Sequence, residues 1–345
     1  MADSELATRA PESDAQDTNT PSSSGSPALT SAPTNPPMTE HCTSDRPLPT
    51  GQSSTGELTK LNDIDVYISK PADYPHTPSR LLLLLTGGTG LHSVNNQIQA
   101  DRFASEGYVV VMPDLFGGDP APNSRLTAAE IGETSATIGA AGAGGGPSSS
   151  SLLDVFKVKA LETAKTFLID MWLARHTEEK VMPILEKVLE GARDEFADAV
   201  SHGNGVYAVG YCFGARYVLL LAAERPARSG QQQRQGRDEE ANRSATVPPQ
   251  IKAGALAHAT LVSKGDFVGL KAPLSVVCVE DDPVFPDEVR IAGEEYMSEN
   301  GVEHEVQVYP GVPHGFAVVG DYDDPNIKMA QATAFEQMLK WINEH

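Results

Sequence analysis

Three short stretches of this 345-residue chain carry side chains that can do chemistry together. VYAVGYCFGARYVLLLAAE (206–224) passes from a strand-like apolar run through Gly210-Tyr211-Cys212-Phe213-Gly214 into a helix-like one. VEDDPVFPDE (279–288) sets Asp281 and Asp282 just beyond a second apolar run, and YPGVPHGFA (309–317) sets His314 just beyond a third. A thiol, a carboxylate and an imidazole are the parts of covalent acyl chemistry. Sulfur attacks a carbonyl carbon, the imidazole carries the proton and the carboxylate orients the imidazole. The G-x-C-x-G spacing suits a sharp strand-to-helix turn, where Gly210 and Gly214 relieve crowding between passing backbones. Such a turn presents Cys212 at a helix N-terminus, whose dipole and free N–H groups favour a thiolate and then an oxyanion. Taken alone, Cys212 reads as well as an inert buried thiol; the carboxylate and imidazole at later strand ends tip the balance.

The elements that must position these groups form a strand–helix alternation from residue 61 onward. DIDVYIS (63–69) alternates like an edge strand. RLLLLL (80–85), YVVVMPD (108–114), VYAVG (206–210), KAGALAHA (252–259), LSVVCVE (274–280) and HEVQVYP (304–310) are short apolar runs. Runs of that kind suit strands buried on both faces of a parallel sheet. Helical patterns fill roughly 94–106, 152–175, 177–200, 213–224, 286–300 and 326–343. The expected fold is an α/β, doubly wound, mostly parallel sheet with helices on both faces. The order nucleophile, acid, histidine, each after a successive strand, is that of the α/β-hydrolases.

GYCFGARYV, the acid in EDDPVFP, PHGFA and the upstream GLHSVNNQIQADRFASEGYVVVMPDLFGGD (90–119) together resemble the dienelactone hydrolase family of α/β-hydrolases. The similarity runs from about residue 41 to the C-terminus. The resemblance implies a Cys-His-Asp triad acting on a small-molecule ester or lactone, with Cys212 as nucleophile, His314 as base and Asp282 as acid. Asp281 is the alternative acid; the place of Asp282 in E-x-D-P-x-F-P matches the family's aspartate. The oxyanion hole falls to the N–H of Phe213 and to Gly88, in the loop after strand 80–85. No cofactor or metal is implied. Bacterial members also carry an activating glutamate where this chain has Gly87, and arginines that hold a substrate carboxylate. No arginine follows the histidine here, so a neutral or larger ester or lactone is the expected substrate. Two alternatives stand beside hydrolysis: a non-hydrolytic, redox-sensitive or binding protein on the same fold, and a biosynthetic lactone-forming or acyl-transfer enzyme.

Other conspicuous residues have plainer readings. Arg216 is expected to pack and pair locally, Asp114 to order its loop, and Cys278 to sit in the core. Asp101 and Arg102 are read as a solvated helix face, while His258 and His92 are each balanced between pocket contact and bystander.

Composition limits what the chain can meet. A net charge of −21 repels nucleic acid and anionic membrane surfaces, and no run approaches the ~20 apolar residues of a membrane span. Cys42, Cys212 and Cys278 are too few and too scattered in sequence for a disulfide framework or zinc site, so a reducing, cytoplasmic setting is expected. Residues 1–56 are rich in Ser, Thr and Pro and read as disordered, leaving 57–345 as the folded domain. Flexible insertions are expected at 132–151 and 228–250.

Overall fold

In the computed structural model, residues 38, 40–122, 166–226 and 246–345 are described. All fall within one unit, Asn35–His345. The insertion expected at 132–151, residues 152–165 of the helix expected over 152–175 and most of the insertion at 228–250 lie outside the described residues.

The sheet follows from the apolar runs. Strands β1 (Glu57–Leu61), β2 (Ile64–Ser69), β3 (Arg80–Leu85), β4 (Tyr108–Pro113), β5 (Val206–Tyr211), β8 (Ala253–Ala257), β9 (Leu274–Val279) and β10 (His304–Tyr309) form one eight-stranded sheet. Its order is β1-β2-β4-β3-β5-β8-β9-β10, parallel from β4 to β10, with β1 and β2 antiparallel at one edge. β3 is paired on both sides and buried on both faces. Leu81, Leu83 and Leu85 feed one core layer, while Leu82 and Leu84 feed the other. β10 closes the far edge with the partly exposed His304, Glu305 and Gln307, a polar edge that discourages further strand pairing.

Helices cover both faces. α4 (Glu178–Glu195) and α6 (Phe213–Ala222) pack on one layer; α2 (Val94–Ser105) and α8 (Pro325–Glu344) pack on the other. Residues 166–175 form α3, α5 is Ala197–Gly203 and α7 is Asp287–Glu299.

Two boundaries differ from the sequence reading. The segment read as disordered to residue 56 contains a short helix, α1 (Glu40–Thr43), with Met38 and Cys42 buried in the core. Asp321 N–H donates to Pro47 O at 2.7 Å. Polar composition concealed this segment because a few anchors hold it, with no apolar period of its own. Likewise Thr246–Val247 (β7), inside the expected insertion, pairs with Arg225–Pro226 (β6), and Gln250 N–H donates to Leu221 O.

Candidate active site

The elbow at the end of β5 is built by exclusion. A side chain at Gly210 would lie 2.6 Å from Val218 Cγ2, and one at Gly214 would run into the Leu85 carbonyl. Cys212 between them takes φ 50° and ψ −113°, a region that costs a non-glycine residue about 1–3 kcal/mol. The surroundings hold it there: Cys212 N–H donates to Ala257 O, Thr260 N–H to Cys212 O, and Gly214 N–H to Thr86 O. The Phe213 N–H favours the ionised form of the Cys212 sulfur. Gly88 lies in the neighbouring loop, where a Cβ would stand 2.7 Å from Cys42 O.

The loop after β9 separates the two aspartates. Asp281 takes φ 53° and faces solvent, while Asp282 turns inward and is buried. Asp282 Oδ1 accepts from Val284 N–H at 2.9 Å, and Oδ2 lies 2.7 Å from His314 Nδ1. With Nδ1 committed to the carboxylate, Nε2 faces the sulfur side of the site. His314 Nε2 and Cys212 Sγ are bridged by the Thr260 hydroxyl, 3.3 Å from the ring and 3.2 Å from the sulfur. Cys42 completes the group, with its sulfur, the Cys212 sulfur and a His314 nitrogen all within 4.8 Å of one another.

Burial raises the Cys212 thiol well above its ordinary value, and Cys42 adds to the rise; Thr260 and the Phe213 N–H oppose it. The direction runs against the expectation of a favoured thiolate, because burial outweighs the Phe213 N–H and Thr260 contributions that oppose it. For His314, burial alone would lower the pKa, but the Cys42 sulfur and Asp282 raise it to about 9. The closed site thus holds its protons at both sulfur and ring.

Sequence reasoning missed the groups that assemble this arrangement. Thr260 follows the carboxyl end of β8, a position where open sheets place functional groups, yet nothing around it marks a motif. Cys42 was hidden in a segment read as disordered, and the three cysteines that look scattered in sequence include two that meet in space. The third group is a set of buried amides on α2. Gln99 accepts from Val319 N–H beyond His314 and donates to the Tyr211 hydroxyl beside Cys212. Asn95 donates to Arg46 O and Val319 O, and Asn96 to Thr89 Oγ1 and Gly90 O. One polar helix face therefore ties together the loops that carry Gly88 and His314 and the N-terminal strap.

Other readings resolve individually. Arg216 pairs with Asp266 at 2.8 Å and Glu178 at 3.0 Å. Asp114 accepts from Phe116 and Gly118 N–H groups, and Cys278 is buried in β9. Asp101 and Arg102 depart from a solvated face: Asp101 accepts from the Tyr67 hydroxyl and Thr55 N–H, and Arg102 stacks 3.9 Å over Phe335. His92 is exposed, whereas His258 lines the cavity with its ring 5.0 Å from that of His314.

A cavity of about 40 Å³ adjoins Cys212, with Gly87, Tyr211 and His258 on one side and Cys42, Asp45 and Arg46 of the strap on another. The Gly87 Cα faces Cys212 so closely that a Cβ would stand 3.2 Å from Cys212 Cβ. Arg46, stacked 5.0 Å over Tyr322, puts a guanidinium on the wall that the sequence left without one.

Comparison with known proteins agrees with this architecture. The model of the dienelactone hydrolase family matches residues 64–345. Hydrolase tropI of Talaromyces stipitatus is 29% identical over 290 residues, covering 84% of this chain and 90% of that protein. Dienlactone hydrolase 1 of Gibberella moniliformis is 24% identical, covering 84% and 87%. Among solved structures, the thermophilic esterase Est2 of Thermogutta terrifontis shares the fold at a TM-score of 0.53 and 15% identity, covering 83% of this chain and 92% of that one. A strand order that switches between β3 and β4, a cysteine elbow after β5 and a match over most of the chain lead to one assignment. This chain belongs to the dienelactone hydrolase family of α/β-hydrolases and is a hydrolase acting on ester or lactone bonds.

Proposed function

We propose that this enzyme hydrolyses small-molecule esters or lactones through a covalent thioester on Cys212, with His314 as base and Asp282 as the group that orients it. The observation that carries this reading is the buried 2.7 Å bond from His314 Nδ1 to Asp282, which leaves Nε2 turned toward Cys212 across the Thr260 hydroxyl. Once His314 is neutral, the Cys212 proton passes to Nε2, directly or through Thr260, and sulfur adds to the carbonyl carbon. The Phe213 and Gly88 N–H groups are assigned to the oxygen that becomes negative. The tetrahedral adduct collapses, the C–O bond breaks, and the leaving alkoxide takes the proton from His314; in a lactone it remains tethered to the acyl group. Water then gives a proton to His314 and attacks the thioester, releasing the carboxylic acid and the thiol. No step calls for a cofactor or metal.

The cavity is far below the ~300 Å³ of ordinary ligand pockets, so a substrate larger than a few atoms enters by displacing the strap of residues 40–47. Arg46 travels with that strap and can meet an acyl carboxylate or a polar ester group. The negative surface disfavours nucleic acid and anionic membranes as partners, and among the described residues no helix is long and apolar enough to cross a membrane. A reducing, cytoplasmic setting would keep the thiols of the site in the form the mechanism uses.

Incubating the protein with mixed short-chain esters and lactones and then quenching in acid should yield an acyl adduct on the Cys212 peptide by mass spectrometry. Cys212→Ala should lose turnover by a factor on the order of 10³ or more. Turnover retained in that variant would overturn the mechanism.

A further inference from the structure

We propose that Cys42, Cys212 and His314 form a binding site for a thiophilic d¹⁰ cation of the Zn²⁺ class, whose occupancy shuts the enzyme off. The three residues are buried, and their ligating atoms lie within 4.8 Å of one another. Around a tetrahedral zinc ion, with sulfur at about 2.3 Å and nitrogen at about 2.0 Å, ligand atoms stand ~3.4–3.8 Å apart. The cluster therefore needs to contract by about 1.4 Å at most. A disulfide between the same cysteines would bring the sulfurs to about 2.05 Å, a larger movement for a nucleophile clamped by its elbow.

Three further observations favour an ion. Asp282 already engages His314 Nδ1, the outer carboxylate that presents Nε2 to a metal and strengthens it as a ligand. The adjoining cavity of about 40 Å³ has room for water as a fourth ligand. A net charge of −21 concentrates dications near the surface. Binding is a proton exchange without redox change. Each thiol gives up its proton, His314 binds through neutral Nε2, and two thiolates balance the dication inside the core. Cys42 arrives on the strap, so an ion would also staple that strap shut across the entrance. The cation site rests on this geometry alone, whereas the loss of turnover rests on the function proposed above.

The test uses the full chain, reduced with a non-thiol phosphine. One equivalent of Co²⁺ should give a thiolate-to-cobalt charge-transfer band and the intense visible bands of tetrahedral cobalt. Zinc K-edge absorption on the wild-type protein, which needs no variant, should show two sulfur neighbours and at least one nitrogen. Cys42→Ser should halve the charge-transfer band and raise the Zn²⁺ concentration for half loss of ester turnover by at least about 100-fold, and Asp282→Asn should weaken Co²⁺ binding ~10–100-fold. Cys278→Ser, a buried thiol outside the cluster, should move neither reading. A single sulfur neighbour, or a cobalt spectrum unchanged in Cys42→Ser, would overturn the site. The two proposals fail separately. A bound ion with undiminished turnover would uphold the site and remove Cys212 and His314 as the catalytic pair. Turnover indifferent to Zn²⁺, with no cobalt band, would remove the site alone.

Discussion

At the scale of single residues, desolvation governs the chemistry. Cys212 is pushed up by burial and His314 is lifted to about 9, so the base form of the ring grows in only as pH climbs through that region. Ester turnover should therefore rise from neutral pH toward about pH 9. Iodoacetamide labelling of Cys212 should rise over the same range, without the plateau before pH 8 that a helix-activated thiolate predicts. The Cys42 share of the histidine's rise requires a negative sulfur; the Asp282 share does not. Asp282→Asn should therefore move the inflection of the pH–rate profile downward and cost turnover by a factor on the order of 10⁴, as loss of a triad carboxylate does elsewhere. Asp281→Asn, altering an exposed side chain, should change turnover little. Equal, mild effects would place the acid elsewhere. The raised value also makes His314⁺ a stabilising charge. Its contribution is complete below about pH 6.5, its ordinary value, and is lost as pH rises through about 9. Denaturant midpoints of wild type and His314→Gln should converge across that interval.

At the scale of elements, the β5–α6 elbow is held by close packing and backbone bonds. Its two glycines were readable from spacing because the reason is steric and local. The structure adds the partners that fill the space: Val218 against Gly210, and the Leu85 carbonyl against Gly214. Gly214→Ala should cost about 1–3 kcal/mol, the range for forcing atoms into a packed core. It should appear as a lower urea midpoint with unchanged slope, and turnover should fall with it because Gly214 N–H ties the elbow to Thr86. An unshifted midpoint would mean that the strand and helix separate more easily than the packing indicates. Helix α2 carries the opposite lesson. Its amides are buried, yet the sequence over 94–106 shows only a helical pattern. Buried polar side chains leave no periodic trace in sequence, since their partners lie in loops far along the chain.

At the scale of the whole molecule, a strap of residues 40–47, preceded by the buried Met38, lies against the site. Met38 and Cys42 are buried, Ser93 Oγ donates to Asp45 Oδ1 at 2.7 Å, and Arg46 lies on the cavity wall. Removing residues 1–34, whose composition cannot sustain a core, should leave the calorimetric Tm and turnover nearly unchanged. Removing residues 1–49 should lower Tm by several degrees, since it strips apolar and hydrogen-bonded cover from the core. Equal Tm values for the two truncations would show that the strap adds nothing to stability.

The sequence by itself determined the doubly wound sheet, the family and the identity of Cys212, Asp282 and His314 as candidates. Apolar runs, steric glycines and strand-end placement are all local consequences of residue type. Tertiary structure alone decided how those candidates meet. It turned Asp282 inward and Asp281 out, put the Thr260 hydroxyl between sulfur and imidazole, and carried Cys42 to Cys212 from 170 positions away in the chain. It also buried the thiol, which pushes its pKa up rather than down. A helix dipole can be read from a motif, but that burial arises only when the strap and the loops beyond β8, β9 and β10 close over one point.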